Sequence, residues 1–498
     1  MPFTAIPLGQ PIPPGAHSVS CSLPTMRDVI GYEEKDPAIT QHLTSGYPRF
    51  VQHPFLREAG HVMLAAAGRR DHQFWPTASA RAAAALREWL APAPAEVLSL
   101  DGFHGVAFPT NADTHGRAKL WLQHCGRLAS SRAAEDFLVR QGHRAAAVPE
   151  ALFTGDAHAE VHRYLRRVFA PATGDDLFLA NCGMNAMWAA FHAASTLQAS
   201  RGRRLWIQLG WLYLDTIALL QKFNPGVAPV VLGDVFALDQ LRALFASRGH
   251  EIAGIITEVP TNPLIQTPDL IAVHQLCRDH GALLIVDPSI ASPVNLDVLP
   301  HADIVVNSLT KYTASEGDVL AGALAINPST PDATSLRAAI AAELEPVHDR
   351  DLARLAAQIG DTEAVVAHSN AAAAEVVEFL RHHPRVDAVF WSLEPRSRDS
   401  YTRLARTPAS TGSMISFSVR GPLARFYDRL MLPKGPSFGM RNSLICPFIY
   451  LAHYDLITSE SGRATLAAHG LNPDLLRLSV GCEPASEIIS ALRDALEA

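Results

Sequence analysis

The sequence predicts an α/β protein, with a mostly parallel sheet between helices, an N-terminal extension before it and a smaller α/β domain after it. Three observations carry this expectation. Short aliphatic runs alternate with helical patterns from about residue 177 to residue 326, as in a parallel sheet covered on both faces. Three of these runs (283–286, 304–306 and 319–326) are aliphatic, rich in β-branched residues and bounded by turn formers, which reads as buried parallel strands. After residue 327 longer helical patterns replace the alternation. The chain has 498 residues, too many for one core. The expected divisions are an extension or arm over 1–150, a large domain over 151–345 and a small C-terminal domain over 346–498.

Residues 1–150 read as largely irregular. Pro7, Pro11, Pro13 and Pro14 suggest an extended arm. Residues 31–54 mix turn signals with a short helical pattern, and 77–91 reads as a helix. An apolar stretch covers 96–108. A helix is predicted over 121–141, with Ser130 as an N-cap residue ahead of acidic residues. The next helix is predicted over 159–169 and a strand over 177–180. The turn Asn181-Cys182-Gly183-Met184 then runs into a helix ending near 198, and a glycine turn at a helix start is an anion site. Strands are predicted over 204–208, 227–232 and 252–257, with helices over 213–223, 238–247 and 269–280. Beyond 327, helices are predicted over 336–343, 353–383, 424–430 and 485–496, and strands over 386–391, 414–419 and 476–480.

Hydrophobic content of 48% with 18% charged residues indicates a globular chain. A net charge of −7 gives no reason to expect nucleic acid as a partner. No run approaches a membrane span, and residues 1–15 lack the pattern of a signal peptide. Cys21, Cys125, Cys182, Cys277, Cys446 and Cys482 are scattered without a CxxC, so neither a disulfide framework nor a zinc site is expected, which fits a reducing cytoplasm. The adjacent pair His382-His383 stands alone and reads as surface rather than ligand.

Two charged residues sit at strand ends. Asp287 closes the run at 283–286, and Lys311 follows the run at 304–306 in Ser308-Leu309-Thr310-Lys311-Tyr312. Ligands of open α/β sheets bind beyond the carboxyl ends of the strands. An amine and a carboxylate placed there suit pyridoxal 5′-phosphate (PLP). The lysine condenses with the aldehyde, and the acid pairs with the pyridinium nitrogen so that the ring can accept electrons. Ser308 and Thr310 are within reach of the phosphate. The competing reading is a lysine in a solvated loop. Only five of the 42 basic residues are lysines (Lys35, Lys119, Lys222, Lys311, Lys434), and arginine cannot serve as a nucleophilic amine.

With Glu258–Pro263 (EVPTNP), Asp287, SLTKY and DVLAGALAINP, and with GPSFGMRNSL and LLRLSVGCE further on, the chain resembles the Cys/Met-metabolism PLP enzymes. The N-terminal AHSVSCSLPTMRDVIGYEEKDP, TSGYPRF and LWLQHCGRLASSRAAE look like the longer, fungal-type cystathionine γ-synthases. The resemblance implies PLP-dependent transferase fold type I, with a seven-stranded sheet. It implies Lys311 as the Schiff-base lysine and proton carrier, Asp287 on the ring nitrogen, and Gly183, Met184, Ser308 and Thr310 on the phosphate. Tyr213 matches the tyrosine stacked on the ring, and Asn262 lies near the 3′-oxygen. Arg477 matches the arginine that grips the substrate carboxylate, and Ser437 a serine near the lysine. Tyr47 and Arg49 match a pair that one subunit lends to its neighbour's phosphate, which implies a homodimer or homotetramer with shared active sites. Three motifs depart from the family. Asp-Asn-Thr is Asp287-Pro288-Ser289, Ser-Ser-Gly-Met is Asn181-Cys182-Gly183-Met184, and Tyr-Gly-Gly-Thr is Tyr213-Leu214-Asp215-Thr216. Cys182 reads as filling a serine position.

The implied activity is γ-replacement on an O-acyl-homoserine by cysteine, giving cystathionine, in methionine biosynthesis. The alternatives are a carbon–sulfur lyase acting on cystathionine or methionine, and a paralogue that binds PLP without catalysis. The expected ligands are small amino acids, with no nucleic acid, membrane or metal.

Overall fold

The structure is a computed structural model that describes residues 3–47, 49–224 and 226–498. Residues 1–150, expected to be irregular, carry a sheet of their own. β1 (His72–Thr77), β2 (Glu96–Leu100) and β3 (Phe103–Pro109) form an antiparallel sheet in the order β1-β3-β2. The turn between β2 and β3 is Asp101-Gly102, both with positive φ (44° and 75°), the geometry that suits a two-residue hairpin. The helix expected over 121–141 is two helices, Ala112–Cys125 and Ser131–Arg140. Gly126 ends the first in the left-handed region and Ser130 caps the second.

The seven-stranded sheet comprises β4 (Leu177–Ala180), β5 (Leu205–Leu209), β6 (Val230–Leu232), β7 (Ile252–Glu258), β8 (Leu283–Asp287), β9 (Ile304–Ser308) and β10 (Gly322–Ile326), in the order β4-β10-β9-β8-β7-β5-β6. β6, β5, β7, β8 and β9 run parallel, whereas β10 is antiparallel to both its neighbours. The run at 319–326 is therefore shorter than expected and not parallel. Side chains alternate between two cores: Leu284 and Val286 pack on one face, Leu283 and Ile285 on the other. One edge of the sheet gathers the carboxyl ends Ala180, Glu258, Asp287 and Ser308.

The C-terminal sheet, β11 (Val386–Phe390), β12 (Met414–Val419), β13 (Leu444–Pro447) and β14 (Leu476–Ser479), is antiparallel in the order β11-β12-β14-β13. The helix expected over 353–383 is broken at Gly360-Asp361 into Asp349–Ile359 and Thr362–His382. Leu476 and Leu478 face the core, so the period of two turns Arg477 to the opposite face. The N-terminal region is tied to the rest by Arg132, which is buried and bonds Glu150, Asp318 and Asp351. Among the described residues, no helix is long and apolar enough to cross a membrane.

Candidate active site

A cavity of about 480 Å³ opens at the carboxyl edge of the seven-stranded sheet. All the predicted site residues except Thr310 line it: Lys311, Asp287, Gly183, Met184, Tyr213, Asn262, Ser308, Tyr47, Arg49, Ser437 and Arg477. The Thr310 hydroxyl turns the other way and pairs with the backbone of Ala321. In a continuing strand Thr310 would share the face of Ser308, but β9 ends at Ser308 and the turn that follows sends the two hydroxyls apart.

Lys311 lies just past β9 and is buried. Its Nζ donates to Ser437 Oγ at 2.5 Å and stands 4.6 Å from the Tyr47 ring centroid and 4.8 Å from that of Phe438. No carboxylate pairs with it among the described residues. Burial lowers its pKa well below the usual lysine range, and the Arg477 and Arg49 charges lower it further. Both effects favour the neutral amine. Ser437 itself has φ of +98°, a region that disfavours a side chain. The N-terminal arm holds this turn, because Ser20 Oγ donates to Pro436 O at 2.5 Å and Leu23 N to Lys434 O at 2.9 Å.

Asp287 ends β8 directly opposite Glu258, which ends β7. Burial pushes Asp287 up to about 6, while Ser289, whose N–H donates to Oδ1 at 2.8 Å, pulls it down. Glu258 is pushed well above the usual carboxylate range, first by burial and then by the Asp287 charge. Two carboxyls in one low-dielectric corner do not both ionise readily. A cation seated against Asp287 favours its ionised form. Sequence reasoning quoted Glu258 only as part of a motif, although its place one strand over from Asp287 was the available signal.

The helix Gly183–Ala199 begins at this edge with no side-chain cap, leaving its first-turn N–H groups and its dipole to an anion. A Cβ on Gly183 would stand 2.9 Å from Ser308 Cβ, and one on Gly322 2.5 Å from Cys182 O. Both positions need glycine for the turn to approach the strands. Cys182 is buried, its thiol donates to Gly126 O at 3.3 Å, and burial raises its pKa.

On the other wall Arg477 donates to Asn262 Oδ1 at 3.1 Å and to Ser437 O at 3.2 Å, between the Phe438 and Phe448 rings. Tyr47 and Arg49 line the cavity of their own chain. Arg49 Nη2 donates to Tyr213 Oη at 2.6 Å and Nη1 to Asp215 Oδ2 at 2.5 Å. At the outer end, the less buried Glu33, Lys35 and Lys119 line the cavity with Tyr454 and Asp455. Sequence reasoning missed this group and Asp215, because their partners lie far away in the chain.

The model of the family described as "Cys/Met metabolism PLP-dependent enzyme" matches residues 164–497. An L-2-amino-4-chloropent-4-enoate dechlorinase/desaturase of Streptantibioticus cattleyicolor is 37% identical, covering 98% of this chain and 98% of that protein. A cystathionine gamma-synthase of Neurospora crassa is 27% identical, again covering 98% of each chain. The solved cystathionine gamma lyase CalE6 of Micromonospora echinospora superposes with a TM-score of 0.56 at 26% identity, over 67% of this chain and 86% of that one. The chain belongs to the Cys/Met-metabolism family of PLP-dependent enzymes, and its cofactor is PLP. The site fits that group: a buried amine with no carboxylate partner among the described residues, a buried acid on the adjacent strand, and a glycine cradle at an uncapped helix start.

Proposed function

We propose that the protein removes a substituent from the γ-carbon of an L-α-amino acid. The observation that carries this reading is the buried amine of Lys311, fixed by Ser437 with Arg477 on the facing wall. When bound, PLP supplies an aldehyde for the amino group and a ring that takes up electrons from Cα. Lys311 would hold the group, and its Nζ would take the Cα proton and carry protons at Cβ. Ser437 orients Nζ for both transfers. Asp287 would hold the charge on the ring nitrogen, and Asn262 and Tyr213 would hold the ring. Gly183, Met184, Ser308 and Arg49 would hold the phosphate, with Tyr47 beside the amine. Arg477 grips the substrate carboxylate, which fixes Cα before Nζ.

Elimination without an incoming partner, of the dechlorinating and desaturating kind, is the reading that the 37% identical relative supports. The apolar wall of Met187, Leu214, Ile290 and Leu451 suits a small apolar γ-end. The second reading is γ-replacement on an O-acyl-homoserine by cysteine. The mixed charges of Glu33, Lys35 and Lys119 favour it, because they match the zwitterion of an incoming amino acid.

The test incubates the holoenzyme with L-2-amino-4-chloropent-4-enoate alone, and separately with O-acetyl- or O-succinyl-L-homoserine and cysteine. Chloride and cystathionine are measured. Chloride release that vanishes in Lys311→Ala supports elimination, and cystathionine formation supports the second reading. No release of a γ-substituent from any of these substrates would overturn the proposal.

A further inference from the structure

Glu258 is an acid that the cofactor reading leaves without a task. It ends β7 directly beside Asp287 and lines the cavity, yet Asp287 already supplies the acid for the ring nitrogen. Glu258 is buried, and a buried carboxyl is costly unless its oxygens are satisfied. The backbone N–H of Tyr213 donates to Oε1 at 2.5 Å, and the backbone of Asn262 bonds the same carboxyl.

These two donors come from different elements. Tyr213 is the residue before the helix Leu214–Lys222, so its N–H has no partner within that helix. Asn262 lies in the turn after β7, where Thr261 N donates to Gln266 O at 2.8 Å and Ile265 N to Thr261 O at 3.0 Å. The Asn262 side chain carries the link onward, since its Oδ1 accepts from Arg477 Nη1 at 3.1 Å. With Oδ1 engaged, Nδ2 is the end of the amide left to donate to a ring oxygen. One carboxyl therefore holds the ring wall and, through Asn262, the arginine that faces Lys311. Burial and the neighbouring Asp287 favour the protonated form of Glu258, whose carbonyl oxygen still accepts an N–H.

We propose that Glu258 is a positioning residue: its carboxyl clasps the backbones of Tyr213 and Asn262 and so sets the ring wall and the Arg477 clamp together, while Asp287 alone serves the ring nitrogen. This rests on the PLP reading of the cavity and goes beyond it, because that reading asks for no second acid at the neighbouring strand end. A neutral amide of the same length can take the same N–H bonds. An apolar side chain of similar volume cannot.

The test compares Glu258→Gln, Glu258→Met and Asp287→Asn with the wild type. Each cofactor-free protein is titrated with PLP, and each loaded protein with L-alanine, which has no γ-substituent. The absorbance and the visible circular dichroism of the bound cofactor are followed, and far-UV circular dichroism checks the fold. Glu258→Met leaves two buried N–H donors without their acceptor. It should raise the PLP dissociation constant and the half-saturating L-alanine concentration by about 10-fold each and alter the visible circular dichroism band. Glu258→Gln should stay within about 3-fold of the wild type in both titrations, whereas Asp287→Asn should raise the PLP dissociation constant by about 10-fold or more. If Glu258→Met does not fold, Glu258→Asp, which draws the carboxyl back by one methylene, takes its place with the same expectation. A loss in Glu258→Gln as large as that in Asp287→Asn would overturn the proposal, since Glu258 would then be the charged partner of the ring. Wild-type affinities and an unchanged band in Glu258→Met would overturn it as well. A wild-type protein that binds no PLP would instead refute the reading on which this rests.

Discussion

The carboxyl edge of the seven-stranded sheet and the N-terminal 150 residues meet at one cavity but contribute to it differently. The sheet presents Asp287, Glu258 and the turn at Gly183 on short, fully paired strands, so their positions follow from register. The N-terminal region contributes a loop. Tyr47 and Arg49 are placed by long-range contacts, to Asp215 and Tyr213 ahead and to Ser18 and Gly9 behind. Chemistry held by register identifies the cofactor. Completion of its pocket depends on side-chain pairs that no local pattern announces.

The sharpest way to break this contrast is to remove the amine on the sheet side. Lys311→Ala should lower turnover by about 10³-fold or more and eliminate covalent PLP, read by absorbance and by product assay. Next comes the attachment of the N-terminal region. Arg132→Ala removes the buried ion-pair partner of Asp351 and leaves Glu150 and Asp318 with Arg350 and Arg354 alone, and should cost about 3–5 kcal/mol, measured by denaturant unfolding.

Asp287→Asn sharpens the sheet side, because its two effects have opposite signs. The folded pKa is raised to about 6, so the folded chain binds more protons here than the unfolded chain. That lowers the stability of the cofactor-free protein as pH rises from roughly 4 to 6. The asparagine should therefore stabilise the cofactor-free protein at pH 7 by about 1–3 kcal/mol while weakening PLP binding. Unfolding curves with and without PLP separate the two.

The smallest effect lies at the outer end of the cavity. Burial raises Glu33 to about 7, although Lys35 and Lys119 pull it down. An ammonium group of an incoming amino acid should bind better as pH rises through that value. Glu33→Gln should flatten the pH dependence of the cysteine KM by a few-fold and leave elimination unchanged.

The legibility of the fold follows the same division. The strands at 283–287 and 304–308 were readable because burial on both faces gives continuous aliphatic runs. β10 read as one more parallel strand because apolar composition carries no direction. The N-terminal sheet went unread, even though Asp101-Gly102 inside the apolar stretch 96–108 is a hairpin signal. The helix breaks at Gly126 and Gly360 fell inside patterns that remained periodic on both sides. In the site, Lys311 and Asp287 were legible from their strand ends. The orientation of Thr310 and the pairing of Arg49 with Asp215 were not, since each depends on a contact outside the local pattern.

Borohydride reduction of the PLP-loaded protein followed by peptide mass mapping tests the central claim most directly. The chain has five lysines, and two besides Lys311, Lys35 and Lys119, also line the cavity. The account predicts one pyridoxyl group per chain, on Lys311. A label on Lys35 or Lys119, or none on Lys311, would contradict it.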